Sequence, residues 1–122
     1  MSTPIATIDL KLLNVHGNIE AFEYHDRFGH PTEGFVLKHH DQMLAYRNEC
    51  PHWNIVMDVD HLYDEQSDSL VCPYHGACFE PKHGECIAGP VEGMHLEPLQ
   101  VDVDEQTGKV HVYLRRTLSL GF

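Results

Sequence analysis

The chain has 122 residues, 42% of them apolar, which is enough for one domain around one core. Nineteen acidic against eight basic residues give a formal charge of -11, which argues against nucleic acid or an anionic membrane as partner. Met1 to Glu20 shows no basic segment followed by an apolar run, and no stretch approaches the roughly eighteen apolar residues of a membrane span, so a soluble, cytoplasmic protein is expected. In a reducing compartment, four cysteines suggest metal binding more than disulfides.

In chain order, the loose alternation of Ile5, Ile8, Leu10, Leu12 and Leu13 predicts an opening strand over residues 3–13. Asn14 to Asn18, with Gly17, predicts a turn, and Ile19 to Tyr24 a second strand. Asp26 to Glu33, holding Gly29 and Pro31, reads as a loop. Gly34 to Lys38 and Met43 to Arg47 flank the polar tetrapeptide His39–Gln42, which predicts a hairpin with a four-residue connection. Residues 54–71 are the least regular stretch, with one turn of helix around Val59 to Tyr63 and a short strand at Leu70–Val71. Ala77 to Glu80 and Glu85 to Ala88 read as arms around Pro81–Gly84. Leu99 to Val103 and Lys109 to Leu114 alternate cleanly around Glu105–Gly108 and form the best hairpin of the chain. Short strands with close turn signals, no repeat and no sustained 3.6 period predict an all-β fold, a small sandwich or barrel of antiparallel strands.

Two short segments carry the chemistry. Cys50-Pro51-His52 and Cys72-Pro73-Tyr74-His75-Gly76 each offer one thiolate and one imidazole in the same order. Two Cys and two His are a complete set of four ligands for one metal ion or one small cluster. A structural zinc site is one reading of that set. Zinc fingers, however, usually pair Cys with Cys and His with His, and zinc leaves Pro51, Gly76 and Gly89-Pro90 unexplained.

The C-x-H and C-x-x-H boxes, followed by Gly76, Phe79, Gly84-Glu85-Cys86, Gly89-Pro90 and Pro98-Leu99, resemble the Rieske proteins, specifically over residues 44–114. The resemblance implies one 2Fe-2S cluster per chain, with Cys50 and Cys72 on a buried iron and His52 and His75 on an outer one. It also implies a single Rieske domain over 1–122, with a cluster-binding subdomain of two loops, roughly 48–90, inserted in a β base. Replacing two thiolates by neutral imidazoles eases reduction: such centres span about -150 to +300 mV, against about -400 mV for plant-type ferredoxins.

Within the family, high-potential members place a Ser two residues after the second His and a Tyr two further on, whose hydroxyls favour the reduced state. Here those positions hold Ala77 and Phe79, and the positions of the disulfide between the two loops hold Ile55 and Tyr74. Both departures imply a low-potential centre of the ferredoxin and oxygenase type. Asn54 stands where the family commonly has Gly, a substitution that a left-handed turn tolerates. Trp53 either shields the cluster edge or fills a gap.

Between Arg47 and Lys82 lie seven carboxylates (Glu49, Asp58, Asp60, Asp64, Glu65, Asp68 and Glu80) and no Lys or Arg. They form either an acidic docking face or a solvated loop. If Lys82-His83 is a turn, Cys78 faces Ile87 and Cys86 faces Phe79, on opposite faces, which disfavours a disulfide between the two cysteines. His39-His40 reads as an exposed turn, and none of the nine histidines outside the boxes has ligand-like spacing with Cys. The resemblance implies a one-electron carrier, not an enzyme in itself, that passes electrons from a flavin reductase to a terminal oxygenase. An accessory electron-entry subunit of a larger redox enzyme and a zinc-stapled interaction module are the alternatives. The oxygenase reaction needs a second domain with a mononuclear iron, for which these 122 residues leave no room.

Overall fold

The computed structural model describes residues 3–50, 56–72, 76–89 and 92–115. Among these residues ten strands follow in chain order: β1 (Ala6–Asp9), β2 (Ile19–His25), β3 (Pro31–His39), β4 (Gln42–Arg47), β5 (Tyr63–Asp64), β6 (Ser69–Val71), β7 (Cys78–Phe79), β8 (Cys86–Ala88), β9 (Pro98–Asp104) and β10 (Lys109–Tyr113). They make a six-stranded sheet in the order β1-β10-β9-β4-β3-β2 and a four-stranded sheet in the order β5-β6-β7-β8, with every pairing antiparallel. The all-β expectation holds. Among the described residues no helix is long and apolar enough to cross a membrane.

Strand β3 explains how the two sheets stack. Gly34, Phe35, Val36 and Leu37 are all buried, so this run has no polar face. Side chains alternate across a strand. Val36 points into one core with Ile8, Leu13, Tyr24, Ala45, Leu99, Val110 and Val112, while Phe35 and Leu37 point into a second. Strand β4 divides the same way: Ala45 joins the first core and Tyr46 the second. The six-stranded sheet curls round the first core toward a closed barrel, and the small sheet packs on the outer face of the β3–β4 wall. Gly34 is required there, because a Cβ at that position would lie 2.6 Å from the Phe22 ring.

Four local expectations need correction. The first strand stops at Asp9; Leu10–Leu13 is a 3-10 turn capped by the Asp9 carboxylate, which accepts from the Lys11 N–H at 3.3 Å. Strand β3 starts at Pro31, inside the expected loop, pairing with His25 at the sheet's end where a missing N–H is tolerated. The β3–β4 connection is two residues long, since His39 pairs with Gln42, and His40 takes a left-handed conformation (φ 55°). The irregular stretch hides a hairpin, β5–β6, beyond the expected helical turn, a 3-10 turn at Val59–His61.

Candidate metal centre

Strand β4 belongs to the barrel and β6 to the outer sheet, and each leads into a cysteine. Cys50 follows β4 and Cys72 follows β6. Each residue is 1% exposed, and both belong to the second core, with Met57, Leu62, Leu70, Ala77, Phe79, Cys86 and Leu96 around them. The second segment is folded back by two backbone bonds: Cys72 N–H donates to Ala77 O at 2.8 Å, and Gly76 N–H to Cys72 O at 2.9 Å. Gly89 leans on it; with φ 111°, it leaves room where a Cβ would stand 2.8 Å from Ala77 Cα. Ala77 and Phe79 are completely buried, and neither side chain can donate a hydrogen bond. His52 and His75, with Trp53, Asn54, Ile55 and Tyr74, lie outside the described residues.

A thiolate walled by apolar side chains has to be paired or coordinated. Two such thiols in one apolar core, each beyond the end of a strand, suit the sulfur side of an iron–sulfur group. Cys78 and Cys86 remain thiols. Phe79 pairs with Cys86 as expected, but a bulge between Cys78 and Phe79 sets Cys78 opposite Ala88 instead of Ile87. Cys86 donates to Ala88 O at 3.2 Å and Cys78 to Gly76 O at 3.4 Å, so both thiols satisfy local carbonyls.

The neck of the first segment is charged. Arg47 lies 3.0 Å from Glu49, too oblique for a hydrogen bond at Nε, and within 3.9 Å of Asp26 and 3.8 Å of Glu97. Burial, and then the nearby Glu97 carboxylate, push the Tyr24 hydroxyl up to about 12. A groove of about 570 Å³ opens beside this neck, lined by Tyr24, Glu33, Arg47, Asn48, Glu49 and Val56 among others.

Most of the acidic run is used locally. Besides Glu49, Asp58 caps the 3-10 turn (Asp60 N–H, 3.0 Å) and Asp64 accepts from the Ser67 hydroxyl at 2.7 Å. Burial works to raise the Glu80 carboxyl, but N–H donation from Lys82 and His83, at 2.9 and 2.8 Å, holds it below its ordinary value. Asp60 and Glu65 remain as exposed surface charge.

Sequence reasoning missed the role of His16, His39, Tyr63 and Asp68. His39 is 9% exposed and not the surface turn expected of it. Its Nε2 lies 2.8 Å from Asp68 Oδ1, which also accepts from the Tyr63 hydroxyl at 2.6 Å. His16 Nδ1 accepts from the His40 N–H at 2.8 Å, so its proton sits on Nε2 and goes to the Tyr63 oxygen at 2.9 Å. His16, His40 and Asp68 bring donor atoms within 4.8 Å of one another. Both His16 nitrogens are already committed, so this is a hydrogen-bond node tying the β5–β6 hairpin to the barrel. The pairing of residues 16, 39 and 68 has no local sequence signal.

Compared with known proteins, the Rieske 2Fe-2S domain family matches residues 11–112. No curated protein matches by sequence. Among solved structures, the ferredoxin of carbazole 1,9a-dioxygenase from Nocardioides aromaticivorans IC177 superposes with a TM-score of 0.73 at 24% identity, over 93% of this chain and 100% of that one. A ferredoxin-length chain in a complex of reduced oxygenase and oxidized ferredoxin of carbazole 1,9a-dioxygenase gives 0.68 at 22% identity, over 96% and 100%. The terminal oxygenase of carbazole 1,9a-dioxygenase from Novosphingobium sp. KA1 gives 0.72 at 13% identity, over 92% of this chain but 30% of that one. With the family matched over most of its length and the same fold around two buried cysteines, the chain belongs to the Rieske 2Fe-2S domain family.

Proposed function

We propose that this protein is a one-electron carrier, a Rieske ferredoxin that accepts an electron from a flavin reductase and passes it to a terminal oxygenase. In this reading Cys50 and Cys72 hold the inner iron of one 2Fe-2S cluster and His52 and His75 the outer iron, within a cluster-binding subdomain of about residues 48–90. The observation that carries it is the burial of Cys50 and Cys72 in one apolar core, beyond the ends of β4 and β6. When bound, the cluster supplies a reversible one-electron couple. The chain's own residues exclude water from its inner side and offer it no side-chain hydroxyl at Ala77 or Phe79, which supports a low potential. The similarity to a ferredoxin found with its oxygenase supports an oxygenase as electron acceptor. The thiols Cys78 and Cys86 suit a reducing, cytoplasmic setting.

A fixed electron-entry subunit is the second reading, favoured by the same fold making up 30% of a terminal oxygenase chain. The higher identity to the ferredoxin, 24% against 13%, supports the carrier. The deciding experiment is an EPR spectrum of the dithionite-reduced protein. A rhombic signal with average g below the free-electron value and two imidazole nitrogen couplings is expected. A colourless, silent, zinc-containing protein refutes the proposal.

A further inference from the structure

Asn48 lies two residues before Cys50 and is 1% exposed, among the least accessible polar side chains described. Its carboxamide grips one residue on the far side of the first ligand segment. Nδ2 donates to Met57 O at 2.9 Å, and Oδ1 accepts from the Met57 N–H at 3.0 Å. The remaining Nδ2 hydrogen points to Glu33 Oε2 at 3.3 Å, while the Asn48 N–H donates to Glu33 O at 2.8 Å. Both amide donors and the amide oxygen are therefore used, two of the three on a single peptide residue. The pattern copies the two-bond exchange between paired strand residues, with a side chain in place of one strand. Met57 is itself 2% exposed and packed in the same core as Cys50 and Cys72. The grip thus closes the span 48–57 at its neck and fixes it to β3 and to the core.

We propose that Asn48 is a positioning residue of the redox centre: it holds closed the segment that presents Cys50 and His52, without touching the cluster. This rests on the Rieske reading above. Alanine removes the grip and leaves the Met57 N–H and C=O buried without partners. Aspartate is the same size and keeps an acceptor for the Met57 N–H, but has no N–H to give the Met57 carbonyl.

The test measures chelator-driven loss of the cluster from iron-loaded protein, with the reduction potential and EPR line shape of each variant. Iron and sulfide analysis of the unmodified protein decides the Rieske reading first and separately. Asn48→Ala is expected to lose its cluster about 10- to 100-fold faster, the range found when a group that orients metal ligands is removed. Asn48→Asp should lose it at least as fast, because its second oxygen would face the Met57 carbonyl and the Glu33 carboxylate where Nδ2 now donates, and both variants should shift the potential and broaden the EPR signal. Val110→Ala, in β10 and the other core, controls for general destabilisation. It should lower the melting temperature while leaving the release rate and potential unchanged. Should Asn48→Ala fail to fold, hydrogen exchange of the Met57 amide in the unmodified protein reads the grip directly, and strong protection is expected. Cluster release from Asn48→Ala at the wild-type rate, equal release from a Val110→Ala protein of matched melting temperature, or an unprotected Met57 amide would each overturn the proposal.

Discussion

Replacing Tyr63 by Phe deletes one hydroxyl and keeps the ring that packs on Gly17 and edge-on to His16. That hydroxyl gives its proton to Asp68 at 2.6 Å and accepts from His16 at 2.9 Å, so one bond inside the β5–β6 hairpin and one from the hairpin to the barrel disappear together. A buried hydrogen bond to a charged group is worth about 1.5–3 kcal/mol and a neutral one about 0.5–1.5 kcal/mol. The Asp68 side chain is 53% exposed, and water replaces much of what is lost. The expected cost is therefore about 1–2 kcal/mol, or about 4–8 °C in melting temperature for a domain of this size. The pH dependence follows from Asp68. Its carboxyl is held below the ordinary range, first by the Tyr63 hydroxyl and then by His39. A depressed carboxylate stabilises fully above the unfolded-state value, near 3.9, and loses its contribution as pH falls through the folded value. The gap between wild type and Tyr63→Phe should be constant from about pH 5 to 8 and narrow below about pH 4. Chemical unfolding monitored by tyrosine-independent circular dichroism measures it. A gap under about 0.3 kcal/mol at pH 7, or one that widens on acidification, refutes the assignment of the hydroxyl as a bridge.

Three further outcomes are expected. Cys72→Ser should abolish iron and sulfide binding and leave a colourless protein, while the amides of β9 and β10 stay protected from exchange, because those strands pack in the other core. Ala77→Ser places a hydroxyl at a fully buried position whose carbonyl already bonds Cys72 N–H. At about 1.5 kcal/mol for a bond that favours the reduced state, and about 59 mV per tenfold for one electron, its potential should rise by roughly 60 mV in voltammetry. Gly34→Ala drives a Cβ to 2.6 Å from Phe22 and 3.2 Å from Leu99. It should cost about 1–3 kcal/mol by thermal unfolding.

The parts legible in the sequence are those written within a few neighbouring residues. The Rieske resemblance, the β9–β10 alternation and the apolar run at Gly34–Leu37 each carry their signal locally. The parts missed depend on partners far along the chain or on a backbone choice that side-chain pattern does not report. Leu10–Leu13 alternates like a strand, yet the Asp9 carboxylate offers the backbone a cap and the chain turns. His39-His40 is as polar as any loop, but His39 is buried by Tyr63 and Asp68, residues more than twenty positions away. The β5–β6 hairpin escaped notice because its strands are two and three residues long, and its turn depends on Asp68 adopting φ 52°, a conformation Asp allows but does not announce. The bulge that moves Cys78 from Ile87 to Ala88 likewise leaves the alternation of the flanking residues intact.

The chain leaves the barrel after β4 and rejoins it at β9, its antiparallel neighbour, where Tyr46 pairs with Pro98 and the Arg47 N–H bonds Glu97 O at 2.9 Å. Among the described residues, none from the segment between belongs to the first core. The second core, in contrast, borrows Phe35, Leu37 and Tyr46 from the barrel wall. Dependence therefore runs one way: the outer layer is a graft on a scaffold that closes without it. A two-residue turn could join β4 directly to β9 and leave six strands in their present order. Heating should strip the outer layer first, and the surviving barrel would then bare Phe35 and Leu37, a sticky intermediate that dye binding would reveal before the final melt.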